Sequence, residues 1–265
     1  MALITHPLWH PDLYDPTGKR EFKPRTGGKT MVIDKGLGIR AFRDLVETAA
    51  AHIDMIKIGF GTTPLYPQDV LDYKIRLAKD NDICIYPGGT FLEVAVNRGL
   101  IDDFFETVTA LGFNGVEVSD GTIDIDPRLR KRLILKGIEN GLRVFTEYGK
   151  KCWGSRLEID ELVETVISDV ENGAELVTIE GRESGTGVGI FDEHGNCRDD
   201  EIMEVIERVQ GRHLLLWEAP QKEQQVHLLK MLGSGVHIGN VAPQDIFSLE
   251  ALRRGLRSDT FHQAK

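Results

Sequence analysis

A chain of 265 residues, 41% hydrophobic and 28% charged, can bury one large core, and its length suits a single α/β barrel as well as two ordinary domains. The net charge of −10 argues against general nucleic-acid binding, which needs a positive surface to displace counterions. Three widely spaced cysteines (Cys84, Cys152, Cys197) without a C-x-x-C exclude a disulfide framework and a zinc site, and no apolar stretch approaches the ~20 residues of a membrane span. The opening residues, Met1-Ala-Leu-Ile-Thr-His-Pro7, lack the basic and apolar regions of a signal peptide. The expectation is a soluble cytoplasmic protein with no membrane partner.

Residues 1–28 are rich in Pro, Gly, Asp and Lys, without periodicity, and read as an irregular N-terminal arm. Residues 29–265 alternate strand and helix. The strands expected are Thr30–Asp34, Met55–Ile58, Ile83–Tyr86, Gly115–Ser119, Arg143–Glu147, Leu176–Glu180, Leu214–Glu218 and Val236–Gly239. Helical spacing of apolar residues falls between and after them, at 41–51, 67–79, 104–111, 128–140, 159–172, 200–209, 224–232 and 243–256. Several of these end in a glycine step, as at Asn140-Gly141 and Asn172-Gly173, which suits a C-cap. Eight strands alternating with eight helices predict a single (β/α)8 TIM barrel rather than an open doubly wound sheet. A dinucleotide-binding sheet is excluded: the first strand is followed by Asp34-Lys-Gly-Leu-Gly38, which lacks the third glycine of the fingerprint. The longest connection, 181–196, reads as an active-site loop or lid.

One strand after another stops at a charged residue and then a glycine, as in Val144-Phe-Thr-Glu-Tyr-Gly149 and Val177-Thr-Ile-Glu-Gly181. A buried strand has no structural use for an unpaired charge at its exit, whereas the C-terminal face of a barrel is where such enzymes do their chemistry. Alternation along the strands puts Lys57, Glu117, Glu180 and Glu218 on inward faces, and Glu147 ends its strand similarly. Glu117, Glu147 and Glu180 then leave consecutive strands ~4.8 Å apart, close enough to share a hard cation. With oxygen ligands and no His/Cys cluster, the ion expected is Mg²⁺. The alternative is that these acids form structural ion pairs with Lys35, Lys57, Lys150 or Lys151.

Lys35, Lys57, Lys150, Lys151 and Arg182 at or just after strand ends ask for an anionic ligand, and the bare amides of Gly88 and Gly89 can cradle an anion. Lys150 and Lys151 are general-acid or general-base candidates, because a lysine near other cations or partly desolvated can lose its proton near neutral pH. Cys152 reads as a bystander. His237, in the eighth strand, is the histidine that would face the site; Arg253, Arg254 and Arg257 suit a subunit contact or a solvated face more than phosphate binding.

These motifs resemble one family. Thr30-Met-Val-Ile-Asp-Lys-Gly-Leu37, Tyr86-Pro-Gly-Gly-Thr90, Ser119-Asp-Gly121, Glu147-Tyr-Gly-Lys-Lys151, Ile179-Glu-Gly-Arg-Glu-Ser-Gly185, Glu218-Ala-Pro-Gln-Lys222 and Ser248-Leu-Glu-Ala-Leu-Arg-Arg-Gly-Leu-Arg257 are similar to those of phosphosulfolactate synthases, from about Gly28 to Phe261. The resemblance implies a barrel commonly assembled as a homo-oligomer, with Mg²⁺ in an enolase-like site. It implies a carbon–sulfur lyase that adds sulfite to C3 of phosphoenolpyruvate, giving (2R)-phospho-3-sulfolactate on the route to coenzyme M or sulfolactate. On that resemblance Lys151, with Lys150 second, would protonate C2. Lys35, Lys57, Gly88, Gly89, Ser119 and Arg182 would hold the substrates, and Glu117, Glu147 and Glu180 the metal. The chain departs from the family pattern at Phe60, Tyr148, Trp153 and Glu223, which leaves open another nucleophile on the same barrel, or a non-catalytic stress-associated relative.

Overall fold

The computed structural model describes residues 8–261, so the first seven residues of the expected arm and the last four of the chain lie outside the described residues. Eight strands follow in order: β1 (Thr30–Asp34), β2 (Met55–Ile58), β3 (Cys84–Pro87), β4 (Gly115–Val118), β5 (Arg143–Tyr148), β6 (Leu176–Ile179), β7 (Leu215–Glu218) and β8 (His237–Val241). They pair in parallel in the order β3-β2-β1-β8-β7-β6-β5-β4, which is the expected (β/α)8 barrel. The seam between β3 and β4 is bridged by a side chain: Asn114 Oδ1 accepts from the Ile85 N–H at 2.7 Å, and its Nδ2 donates to Ile83 O at 3.3 Å.

The helices are α1 (Pro11–Tyr14), α2 (Ile39–Ala49), α3 (Gln68–Asp80), α4 (Gly89–Arg98), α5 (Ile101–Ala110), α6 (Pro127–Glu139), α7 (Ile159–Glu171), α8 (Asp199–Val209), α9 (Lys222–Leu232) and α10 (Ile246–Arg253). Local chemistry sets their ends. Asp126 caps α6 by accepting from the Arg128 and Leu129 N–H groups, with Pro127 in the first turn. After α6 and α7 the chain turns at Gly141 (φ 73°) and Gly173 (φ 104°), a backbone that a side chain would strain. From α2 onward each helix buries residues on one face, as α2 does with Phe42, Val46 and Ala49. Inside the barrel Met31, Met55, Cys84, Tyr86, Phe145, Leu176 and Leu216 form a separate packed layer. Gly239 makes room for it, since a Cβ there would lie 2.3 Å from Leu216 Cδ2.

Four expectations change. Helix α4 was not expected, because Gly88-Gly89 reads as a turn and the run Phe91–Val96 is too evenly apolar to show a helical period. His237 lies at the N-terminal end of β8, away from the strand exits, and is fully buried. Its Nδ1 accepts from the Lys29 N–H at 2.9 Å while Nε2 meets His213 O at 3.1 Å, and burial lowers its pKa to about 4. Arg253 and Arg254 are buried rather than solvated, with Arg253 donating to the carbonyls of Ser234 and Val236. The connection 181–196 is not an open lid: Val188, Ile190 and Phe191 are buried, and Phe191 bridges to Cys197.

Candidate active site

At the strand exits lies a cavity of about 220 Å³, lined by Lys57, Phe60, Gly88, Gly89, Thr90, Glu117, Glu147, Lys151, Glu180, Arg182, Glu183, Glu218 and Asn240, with Ile33. Period-two alternation carries Lys57, Glu117, Glu147 and Glu218 inward at its floor. Lys57 Nζ sits among three carboxylates, 3.0 Å from Glu117, 2.8 Å from Glu147 and 3.1 Å from Glu218. Glu147 also binds Lys151, whose Nζ is 2.8 Å from Glu180. Glu147 is therefore shared by two ammonium groups.

The electrostatics follow from burial and partners. Burial works against charge on Lys57, but Glu117, Glu147 and Glu218 together outweigh it and hold its pKa well above the ordinary value. Burial likewise opposes the charge on Lys151, and Glu147 and Glu180 overcome it, so its pKa is raised. Burial pushes on Glu147 too, yet Lys151 and Lys57 win and its pKa falls below the carboxylate range. Glu117 ends up the other way: burial, against the pull of Lys57, lifts it to about 7. Burial and then its neighbours Glu147 and Glu218 raise Glu180 well above the usual value. Lys151 is thus a firmly held ammonium, not the easily deprotonated lysine expected from its cationic neighbour.

The ion pairs anticipated as the alternative to a metal are present. Among the described residues no group of three or more His, Cys, Asp or Glu side chains is arranged to hold a metal ion. Four glutamates face two lysines, burial inclines Glu117 and Glu180 to hold protons there, and every acid offers hard oxygen donors. Oxygen donors of this kind are those a hard cation such as Mg²⁺ takes.

The other expected residues divide. Lys35 reaches across the mouth to Glu183 at 2.6 Å, while Arg182 lines the cavity from a left-handed backbone (φ 59°). Asn240 Nδ2 pins the Arg182 carbonyl at 2.7 Å, and the Arg182 N–H donates to Glu180 at 2.6 Å. Gly88 and Gly89 line the cavity, but their amides already donate, to Ile58 O at 2.9 Å and to Glu117 at 2.8 Å. Ser119 does not line it: its hydroxyl donates to buried Glu93, which also accepts from the Thr122 and Ile123 N–H groups. Gly89 has no Cβ because one would meet Ser119 Oγ at 2.3 Å. Lys150 turns outward to Asp120 O (2.8 Å) and Asp124 (2.9 Å).

Sequence reasoning left Glu218, Asn240 and Glu183 off the list of site residues. Glu218 carried the same inward-facing signal as its neighbours and Glu183 stood inside the Ile179–Gly185 motif; Asn240 carried no signal. A further missed group supports the floor from behind. Arg130 of α6 makes a bidentate pair with Asp169 of α7, and its Nη2 donates to the Glu147 carbonyl at 3.1 Å. Among the departures from the family pattern, Phe60 lines the cavity. Trp153 instead covers Gly187, and Tyr148 turns to Glu161.

Known proteins resemble the chain over most of its length. Residues 18–259 match the family model of (2R)-phospho-3-sulfolactate synthase. The phosphosulfolactate synthase of Methanothermobacter thermautotrophicus is 41% identical over 246 residues, 92% of this chain and 95% of that protein. That of Methanocaldococcus jannaschii is 42% identical, covering 88% and 94%, and that of Bacillus subtilis is 35% identical, covering 91% and 95%. Among solved structures, the YdjI aldolase of Escherichia coli K12 superposes with a TM-score of 0.56 at 14% identity, over 94% of this chain and 86% of that one, a likeness of fold alone. No helix among the described residues is long and apolar enough to cross a membrane. With its model matched over nearly the whole chain and relatives above 40% identity, the chain belongs to the phosphosulfolactate synthase family of enzymes.

Proposed function

We propose that the chain adds sulfite to C3 of phosphoenolpyruvate, giving (2R)-phospho-3-sulfolactate. Beyond the family, the observation that supports this reading is the cavity floor, where two buried ammonium groups meet an excess of carboxylate. The sulfur lone pair would form the C–S bond at C3, the C2–C3 π electrons would pass to C2 and its carboxylate, and a proton would close C2. Lys151 is the donor we assign: it lines the cavity, it is charged at neutral pH, and Lys150 points elsewhere. Drawn from one of its two carboxylates, Lys151 would lose part of its support and release the proton more readily. Lys57, Lys35 and Arg182 would meet the phosphate, carboxylate and sulfite charges. Mg²⁺ held by Glu117, Glu147 and Glu180 would supply positive charge where the carboxylate gathers electrons.

The assay is phosphoenolpyruvate consumption with sulfite and Mg²⁺, in wild type and in Lys151→Ala. Sulfite-dependent turnover in the wild type and a loss of 10²-fold or more in the variant are expected, the scale of a general acid. Wild-type turnover with another nucleophile but not sulfite would sink the reaction; full activity of the variant would remove Lys151 from it.

A further inference from the structure

Opposite the strand exits, the N-terminal face of the barrel gathers buried positive charge that the proposed chemistry does not use. Arg20 and Arg25 come from the arm, Arg253 and Arg254 from the end of α10, and none is more than 9% exposed. Two carboxylates meet them. Glu250 accepts from Arg20 Nε at 2.9 Å and from Arg254 Nε at 2.7 Å. Asp54 lies 3.1 Å from Arg25 Nε and is also engaged by the Thr30 N–H. His52, 3.6 Å from Glu250, adds no firm charge, because burial lowers its pKa. Four guanidinium groups against two carboxylates leave a buried excess of two positive charges, on a chain whose net charge is −10. Burying charge without a counter-ion is costly.

The donors are also incompletely used. Arg253 binds the carbonyls of Ser234 (2.6 Å), Val236 (2.7 Å) and Lys29 (3.3 Å) but pairs with no carboxylate among the described residues. Its Nε, and Nη2 of Arg20, find no hydrogen-bond partner among those residues. The two guanidinium groups lie close together because Gly28 has no side chain: a Cβ there would come within 2.5 Å of Arg20 Nη1 and 3.3 Å of Arg253 Nη1. Burial, and then the charge of Arg20, bring the Arg253 pKa down to about 9. Arg25 also lines a cavity of about 480 Å³, where Lys23, Lys29 and Arg143 outnumber Asp54 and Asp82.

We propose that this face binds a small inorganic anion, of the chloride or phosphate class, among Arg20, Arg25 and Arg253, and that the anion ties the arm to the barrel floor. The proposal is independent of what happens at the strand exits. Its test is thermal unfolding of the full chain in sodium chloride, sodium phosphate and sodium gluconate at equal ionic strength. Chloride or phosphate should raise the midpoint saturably by roughly 2–6 °C over gluconate, and the larger rise identifies the ion. Arg253→Met should abolish the rise; should that variant not fold, Arg20→Gln takes its place. Superimposed curves for the three salts overturn the proposal. So does a rise that survives either folded variant, or one that Lys35→Ala removes, since that places the ion at the strand exits.

Discussion

Lys57→Met tests the floor of the site most directly. Methionine keeps the length of the side chain and removes the ammonium that three carboxylates share at 2.8–3.1 Å. Breaking a buried ion pair by removing one partner costs about 3–5 kcal/mol. Here Glu117 already sits at about 7, so it takes up a proton in the variant at neutral pH and limits the damage to the lower part of that range, about 3–4 kcal/mol at pH 7.5. The sign with pH follows. A carboxyl whose folded pKa lies above its unfolded value binds more protons when folded, so acid stabilises the native state. Without Lys57 at least one more carboxyl shifts in this way, and one proton carried over two pH units is worth about 3 kcal/mol. Part of this is offset by Glu117 protonating in the wild type over the same window. The deficit should therefore shrink by roughly 1 kcal/mol between pH 7.5 and 5.5. Urea unfolding of both proteins at the two pH values, in chelator, measures it. A deficit below about 1 kcal/mol at pH 7.5, or one that does not change with pH, would refute the coupling of Lys57 to these three acids.

Two other outcomes are expected. The His237 pKa of about 4, depressed from 6.5, means that the unfolded chain binds the extra proton between those values. That contribution to stability is complete above pH 6.5 and declines by about 3 kcal/mol on the way down to pH 4; the His237→Gln variant should show a correspondingly flatter acid limb in urea unfolding. Arg130→Met strands Asp169 and frees the Glu147 carbonyl, which should cost about 3–5 kcal/mol and lower the melting temperature by roughly 6–15 °C. Arg130→Lys should recover little of this, because a point charge cannot reproduce the bidentate pair.

The sequence by itself determined the barrel, its strand positions to within a residue or two, and the acids that leave strands four to six. Those features depend on local rules: a period of two along a strand, a glycine after a helix, a charge where an apolar run ends. Glu117, Glu147 and Glu180 are inward because of their own strands, whatever the rest of the chain does. Tertiary structure alone decided who meets whom. Lys57 finds acids 60, 90 and 161 positions away because the barrel closes, and no spacing in the chain encodes those distances. Lys150 and Lys151 are neighbours of one type, yet the turn after β5 sends one to solvent and the other between Glu147 and Glu180. Ser119 looked like a ligand until Glu93 of an unanticipated helix claimed its hydroxyl. The arginines of α10 looked solvated until the arm folded over them. Local pattern gives the direction in which a side chain leaves its element; the partner at the other end is set by packing, where charge is tolerated only if matched.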